Sequence, residues 1–204
     1  SRIAPADPLA GLPPVVFDAL GEIRTVYTPE LVERILDSGT RAISITLTDP
    51  KAAEAESFDL LLKDLADYNL YFRRHPGLYV QAKAVADIRE AVESRRLAVF
   101  YNLQDSSPVN GDLSRVALLR QLGVTSIQLT YNQHNRAGSG CFENPDTGLT
   151  TFGRALIAAM EQQRVLLDLS HAGMRTMAEA IAASSRPVVI SHTACKALRA
   201  HRRN

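Results

Sequence analysis

An α/β fold built on a parallel sheet is what this sequence predicts, and three observations carry the prediction. Short apolar runs rich in Val, Ile and Leu recur along the 204 residues without strict polar alternation, the pattern of parallel strands covered on both faces. Amphipathic stretches with recognisable caps lie between them. Strand and helix alternate through the chain, which implies βα units in either a doubly wound sheet or a barrel.

The elements follow in order. Residues 1–14 are rich in Pro and Ala, lack periodicity and read as an extended arm; residues 15–204 read as one catalytic-type domain. Val15–Leu20 is the first strand. Thr28-Pro29-Glu30 supplies an N-cap, a proline at the first helical position and an acid in the first turn. Leu31, Val32, Ile35 and Leu36 form that helix's apolar face, and Gly39 stops it. Ala42–Thr48 is the second strand. A long amphipathic helix over Ala52–Arg74 is broken by His75-Pro76-Gly77. A helix over Ala86–Arg96 leads into the strand Leu97–Leu103, and Asp112 caps a helix that runs to Leu122 and ends at Gly123. The strand Ser126–Tyr131, the helix Thr151–Gln163, the strand Val165–Ser170, the helix Met174–Ser184 and the strand Pro187–Ser191 follow. Ala194–His201 has the pattern of one more helix. Six strands do not close an eight-stranded barrel of roughly 250 residues. The expectation is therefore a (β/α)8 TIM-type barrel truncated after about six βα units.

Composition narrows function by exclusion. A net charge of +1, with 46% hydrophobic and 22% charged residues, gives no field for nucleic acid or a membrane surface. The apolar runs are strand-sized, too short for membrane insertion. Cys141 and Cys195 do not make a disulfide framework, and with no leader visible they point to the cytoplasm. Cys195, three residues past His192, is weighed as a soft ligand and read as an ordinary reduced cysteine.

Chemistry concentrates at two strand ends. Val-Leu-Leu-Asp-Leu-Ser-His closes at His171 and Pro-Val-Val-Ile-Ser-His closes at His192. In a barrel the C-terminal strand ends are where sites are built, and two imidazoles there are a natural pair of metal ligands. One strand-end histidine alone reads as a hydrogen-bonded structural residue; the repeated Ser-His ending shifts the reading to metal. Asp168 either orients a ligand or caps the following helix. Glu143 and Asp146 read as solvated loop acids, Arg154 as a helix ion pair and His75 as a loop residue.

A dense set of ordered motifs fills residues 126–204: Gln128-Leu-Thr-Tyr-Asn132, Asn135, Gly138-Ser-Gly-Cys-Phe-Glu143, Asp146, Gly148-Leu-Thr-Thr-Phe-Gly-Arg154, Asp168-Leu-Ser-His171, Ser191-His192 and His201-Arg-Arg-Asn204. With Asn102-Leu-Gln-Asp-Ser-Ser-Pro108 and the strand near Asp18, the chain closely resembles the membrane dipeptidase (renal dipeptidase) family of zinc peptidases. The resemblance implies a (β/α)8 barrel, a binuclear zinc site at the strand ends and hydrolysis of dipeptides by a zinc-bound water. It places His171 and His192 as the two histidines of one zinc, and Arg203 as the arginine that contacts substrate or intermediate.

The resemblance also marks departures. Asp18-Ala-Leu-Gly-Glu22 puts Leu20 where the family has a zinc histidine, and Glu22 where it has an aspartate. Gln104 falls at the bridging glutamate, and an amide is a poor bridge. Asp105 next to it should point to the other side of a continuing strand. Tyr131 stands at a substrate-binding histidine, with His134 three residues on as a partial replacement from a loop. The expectation is one zinc rather than two, held by His171, His192 and Glu22, with Arg203 and Glu22 as catalytic groups and Tyr131 and Arg203 contacting a small dipeptide-like substrate. Two alternatives stand beside it. One is a divergent barrel, with one metal or none, that binds another small molecule. The other is a non-catalytic fragment whose open strand edges need a homodimer partner or a complementing C-terminal segment.

Overall fold

The computed structural model describes residues 7–204. The architecture is α/β of the expected barrel type, six βα units in sequence. The strands are β1 (Val16–Gly21), β2 (Thr40–Thr46), β3 (Tyr79–Ala82), β4 (Leu97–Leu103), β5 (Val124–Gln128) and β6 (Leu166–Asp168). The helices are α1 (Pro29–Asp37), α2 (Glu54–Arg74), α3 (Ala86–Glu93), α4 (Ser114–Leu122), α5 (Thr151–Gln163) and α6 (Met174–Ala183). The chain divides into two compact units. One holds the described residues up to Ile45 with Ala66–Phe100, the other Thr46–Leu65 with Tyr101–Asn204.

In the first unit β1 pairs with β2, and β3 pairs in parallel with the first half of β4. Its core gathers Ala42, Val80, Ala82, Ile88, Ala91, Ala98 and Phe100. Three expectations change here. β3 was missed, because four residues after a Pro-Gly break carry too little periodicity to register. β1 is not the buried strand its apolar run suggests: Val16 and Phe17 are about half exposed, at 51% and 49%. Residues 1–6 of the expected arm lie outside the described residues, and residues 7–12 turn rather than extend. Within that turn Leu9 packs on the core, and Arg89 donates to the carbonyls of Pro8 and Ala10.

The second unit runs β5 parallel to the end of β4 and β6 parallel to β5. The N-cap position of α4 is Leu113, without a side-chain cap bond, and the expected cap Asp112 stands one residue before it. Asp112 accepts from the Ser114 amide at 3.0 Å and its hydroxyl at 2.6 Å, and Gly123 closes α4 at φ 107°. That φ is left-handed, where only glycine is free of Cβ strain. The expected strand at 187–191 is reduced to a bridge between Asp168 and Val189. Only the Leu169 and Val189 amides make ladder bonds there, to Val189 and Leu167 carbonyls. The expected helix at 194–201 is a run of turns, with amide bonds returning only to Cys195. No helix among the described residues is long and apolar enough to cross a membrane.

The Thr28 hydroxyl accepts from the Leu31 amide at 3.4 Å at the start of α1, with Pro29 at the first helical position. Thr28→Ala should lower stability by about 1 kcal/mol, the usual worth of an N-cap, read as a lower urea midpoint at unchanged slope.

Candidate metal centre

Every residue of this site lies in the second unit. β6 stops after three residues because the Asp168 side chain captures the backbone that follows. Its carboxylate accepts from the Ser170 amide at 2.8 Å and the Ser191 amide at 3.3 Å, and from the Ser191 hydroxyl. One buried carboxylate thus ends β6 and ties the 187–191 segment beside it. The turn leaves His171 at φ 64°, a left-handed conformation that costs a residue with a Cβ of order 1–3 kcal/mol. It is held there by its neighbours: the Cys141 amide donates to the His171 carbonyl at 2.7 Å, and the Gly173 amide to Ser139 at 2.9 Å.

The two imidazoles meet at their Nε2 atoms, 2.9 Å apart. Hydrogen bonding on their far sides sets the tautomers. The Asn132 Oδ1 lies 2.8 Å from His171 Nδ1 and also faces the Cys141 thiol at 3.6 Å, so it is the acceptor and Nδ1 carries the proton. The Ser191 hydroxyl spends its only proton on Asp168, so at 2.8 Å it accepts from His192 Nδ1. Both Nε2 atoms are then left unprotonated, each with a lone pair, 2.9 Å apart. Two nitrogens on one tetrahedral zinc stand about 3.3 Å apart, given Zn–N bonds of about 2.0–2.1 Å. The pair is within a few tenths of an ångström of that spacing, and the donor set fits one such ion. This is the pattern in which the second ring nitrogen of a metal-ligating histidine is tied off by an oriented acceptor.

Electrostatics keep the pair neutral. Burial, then the nearby Arg203 charge, then His192 push the His171 imidazole down to about 3. Burial and Arg203 lower His192 as well, against the opposing pull of Asp168. The Arg203 guanidinium donates to the His192 carbonyl at 2.6 Å and is itself held below its ordinary value by burial. Tyr131 stacks on His171 with ring centroids 4.2 Å apart at 28°. Tyr131 also lines a cavity of about 450 Å³ with Lys51, Glu54, Asp105, Gln133, His134 and Arg136.

His171, His192, Arg203, Tyr131 and Asp168 are therefore one contiguous cluster. Glu22 and Leu20 belong to the other unit, where Glu22 is exposed and ion-paired to Arg24 at 2.9 Å. Among the described residues no three His, Cys, Asp or Glu side chains form a metal-binding group, and Cys195 is exposed. Gln104 donates to the Thr46 hydroxyl at 2.8 Å. Asp105 is not on a continuing strand, because β4 ends at Leu103. It is buried and accepts from the Tyr131 amide at 2.7 Å, the Asn135 amide group at 3.0 Å and both polar groups of Ser107. Burial raises its carboxyl above the ordinary carboxylate range against those bonds. Of the loop acids, Asp146 is no solvated spectator: it accepts from Arg175, Thr176 and Gly148 and anchors the start of α6. Arg154 pairs with Glu179 at 3.4 Å, as a helix ion pair should. Sequence reasoning missed Asn132, Ser191 and Asp105 as organisers. The signal for the first two was their adjacency to Tyr131 and His192; nothing local marked Asp105.

Two outcomes follow. Unfolded imidazoles take up protons near pH 6.5, whereas folded His171 does so only near 3. The unfolded state binds more protons between those values, so this contribution is complete above about pH 6.5 and is lost as pH falls toward 3. Urea midpoints should fall over that window, and less steeply in His171→Ala. A Cβ at Gly140 would overlap the backbone of Tyr131 and Asn132. Gly140→Ala should therefore displace the Asn132 contact and cost about 2 kcal/mol or more, seen as loss of the Nδ1–H tautomer signal of His171 by long-range ¹⁵N NMR.

Comparison with known proteins identifies the family and the fold. The sequence profile of "Membrane dipeptidase (Peptidase family M19)" matches residues 28–204. Dipeptidase aclJ of Aspergillus oryzae is 31% identical over 133 residues, 63% of this chain and 32% of that protein. The solved structure of an amidohydrolase from Pseudomonas aeruginosa superposes with a TM-score of 0.84 at 31% identity, covering 93% of this chain and 56% of that one. A metallopeptidase from Rhodobacter sphaeroides, liganded with a phosphinate mimic of the dipeptide L-Ala-D-Ala, shares the fold at a TM-score of 0.78 and 16% identity, covering 93% of this chain and 68% of that one. The chain thus spans about a third of that curated relative and a little over half of the amidohydrolase. With a profile match across most of its length, the chain belongs to the membrane dipeptidase family, peptidase family M19.

Proposed function

We propose that this chain supports metal-dependent hydrolysis of dipeptides or similar small amides, centred on one zinc ion at His171 and His192. The observation that carries the proposal is the convergence of two Nε2 lone pairs, each fixed by a hydrogen bond on the opposite ring nitrogen. Zinc bound there supplies Lewis-acid activation of water and polarisation of the amide carbonyl. The chain's own residues do the rest. Asn132 and Ser191 hold the ligating tautomers. Arg203, fixed on the His192 carbonyl, presents positive charge to an oxygen that gains negative charge in the transition state. Tyr131 screens one face of His171 and forms the wall of a cavity of dipeptide dimensions, about 450 Å³. Catalytic zinc sites usually take three ligands from the protein, and His171 and His192 supply two. The activity of aclJ as a dipeptidase and the dipeptide mimic held by the Rhodobacter protein favour the same substrate class.

A second reading has its own support. Gln104, at the bridging position, is a neutral amide already bonded to Thr46, which favours a divergent pocket that binds a small molecule with no metal.

Elemental mass spectrometry after zinc incubation and desalting separates the two. The hydrolase reading expects about one zinc per chain, loss of it in His171→Ala and in His192→Ala, and chelator-sensitive dipeptide hydrolysis. A folded chain that retains no zinc leaves the metal-free pocket. Leu20→His with Gln104→Glu should raise the content toward two ions, because both changes supply the ligand types of a binuclear centre.

A further inference from the structure

The cavity lined by Tyr131 has a one-sided inventory of charge. Both carboxylates in its wall are already taken: Glu54 by Arg136 at 2.6 Å, and Asp105 by Tyr131, Asn135 and Ser107. The groups in the wall with no side-chain partner among the described residues are the Lys51 ammonium, the Tyr131 hydroxyl, the Gln133 amide and the His134 imidazole. The ammonium is a donor only, and the hydroxyl, the amide NH2 and a ring N–H can each donate as well. Ala52 and Glu54 put the N-terminal end of the 21-residue α2 in the same wall, which adds the positive end of its dipole.

From this inventory we infer that the cavity is a subsite for an anionic side chain, and that the preferred substrates are dipeptides or small amides carrying a second carboxylate. A cationic side chain would find no free carboxylate. An apolar one would strip water from Lys51 and Tyr131 with nothing to replace it. A carboxylate satisfies the ammonium and accepts from the neutral donors in a charge-assisted way. Tyr131 links the subsite to the metal centre: one ring stacks on His171 and lines the cavity. A substrate whose scissile amide lies at the imidazole pair therefore places a side chain against Lys51. The substrate assignment rests on the hydrolase reading above; the anion preference of the cavity does not.

The two are tested apart. N-acetylglutamate and N-acetylglutamine, which differ by one carboxylate, are titrated into the 204-residue chain prepared without metal, with binding read by NMR shift changes. The expected preference for N-acetylglutamate is roughly tenfold, the scale of one charge-assisted contact, and it weakens with added salt. Lys51→Met should bring the ratio close to one while leaving the fold unchanged by circular dichroism; Lys51→Arg should restore most of it. Equal binding of the two ligands, or a preference that survives Lys51→Met, overturns the proposal. In parallel, kcat/KM for Ala-Glu against Ala-Gln is measured on the zinc-loaded chain. Hydrolysis of both at equal efficiency overturns the subsite and leaves the hydrolase standing. Carboxylate preference in binding without any hydrolysis upholds the subsite and removes the hydrolase reading.

Discussion

The Asp168 carboxylate is the constraint on which the site depends. It is 8% exposed and its acceptor positions are filled by two backbone amides and one hydroxyl. Those bonds end β6, turn the chain into the left-handed His171, and draw the 187–191 segment alongside. The same carboxylate takes the Ser191 proton and so decides which nitrogen of His192 is left free. A buried carboxylate is costly unless its bonds are made, and here each bond also fixes a piece of the centre. Stability of the turn and aim of the imidazole are one interaction seen from two sides.

A second buried carboxylate, Asp105, does the corresponding work at the end of β4. Its bonds to the Tyr131 amide and Asn135 lock the exit of β4 to the exit of β5. That lock sets where Tyr131 and Asn132 stand, and those two residues respectively cover and orient His171. The expectation that Asp105 faces away from its neighbour's side assumed that β4 continues. The strand ends two residues earlier, and once the pleat stops, alternation no longer predicts direction. Gln104 instead joins a polar ladder with Thr46 and Gln128.

How much was legible depended on whether the signal was local. Caps at Thr28 and Gly123 and the whole of β4 were readable, because a hydroxyl, a missing Cβ or a seven-residue strand with one polar position, Asn102, acts at short range. The histidine pair was readable from a repeated Ser-His ending. The count of six βα units was right, yet it combined one missed strand with one counted in excess. β3 is too short to show periodicity, and 187–191 has the composition of a strand but makes only a bridge. Of the two acceptors that fix the tautomers, Ser191 stands next to its histidine in the repeated Ser-His ending, whereas Asn132 is 39 residues from the histidine it holds. No window of sequence contains that contact. Charge partnership was equally hidden: Glu54 and Arg136 are 82 residues apart, and only their pairing leaves Lys51 as the unmatched charge in the wall.

The division of labour between the two compact units accounts for a centre that keeps its geometry while its family ligands change. His171, His192, Asn132, Ser191, Asp168 and Arg203 all belong to one unit and orient each other directly. Leu20 and Glu22 belong to the other. A change at residue 20 therefore touches none of the bonds that set the imidazole tautomers. Changes at Gln104 are absorbed in the same way, by a hydroxyl on Thr46 rather than by the histidines. Two neutral imidazoles with lone pairs 2.9 Å apart repel each other until a proton or a cation sits between them. Burial and Arg203 disfavour the proton. The arrangement is held by hydrogen bonds made elsewhere, and a cation placed between the two ring nitrogens would relieve the repulsion.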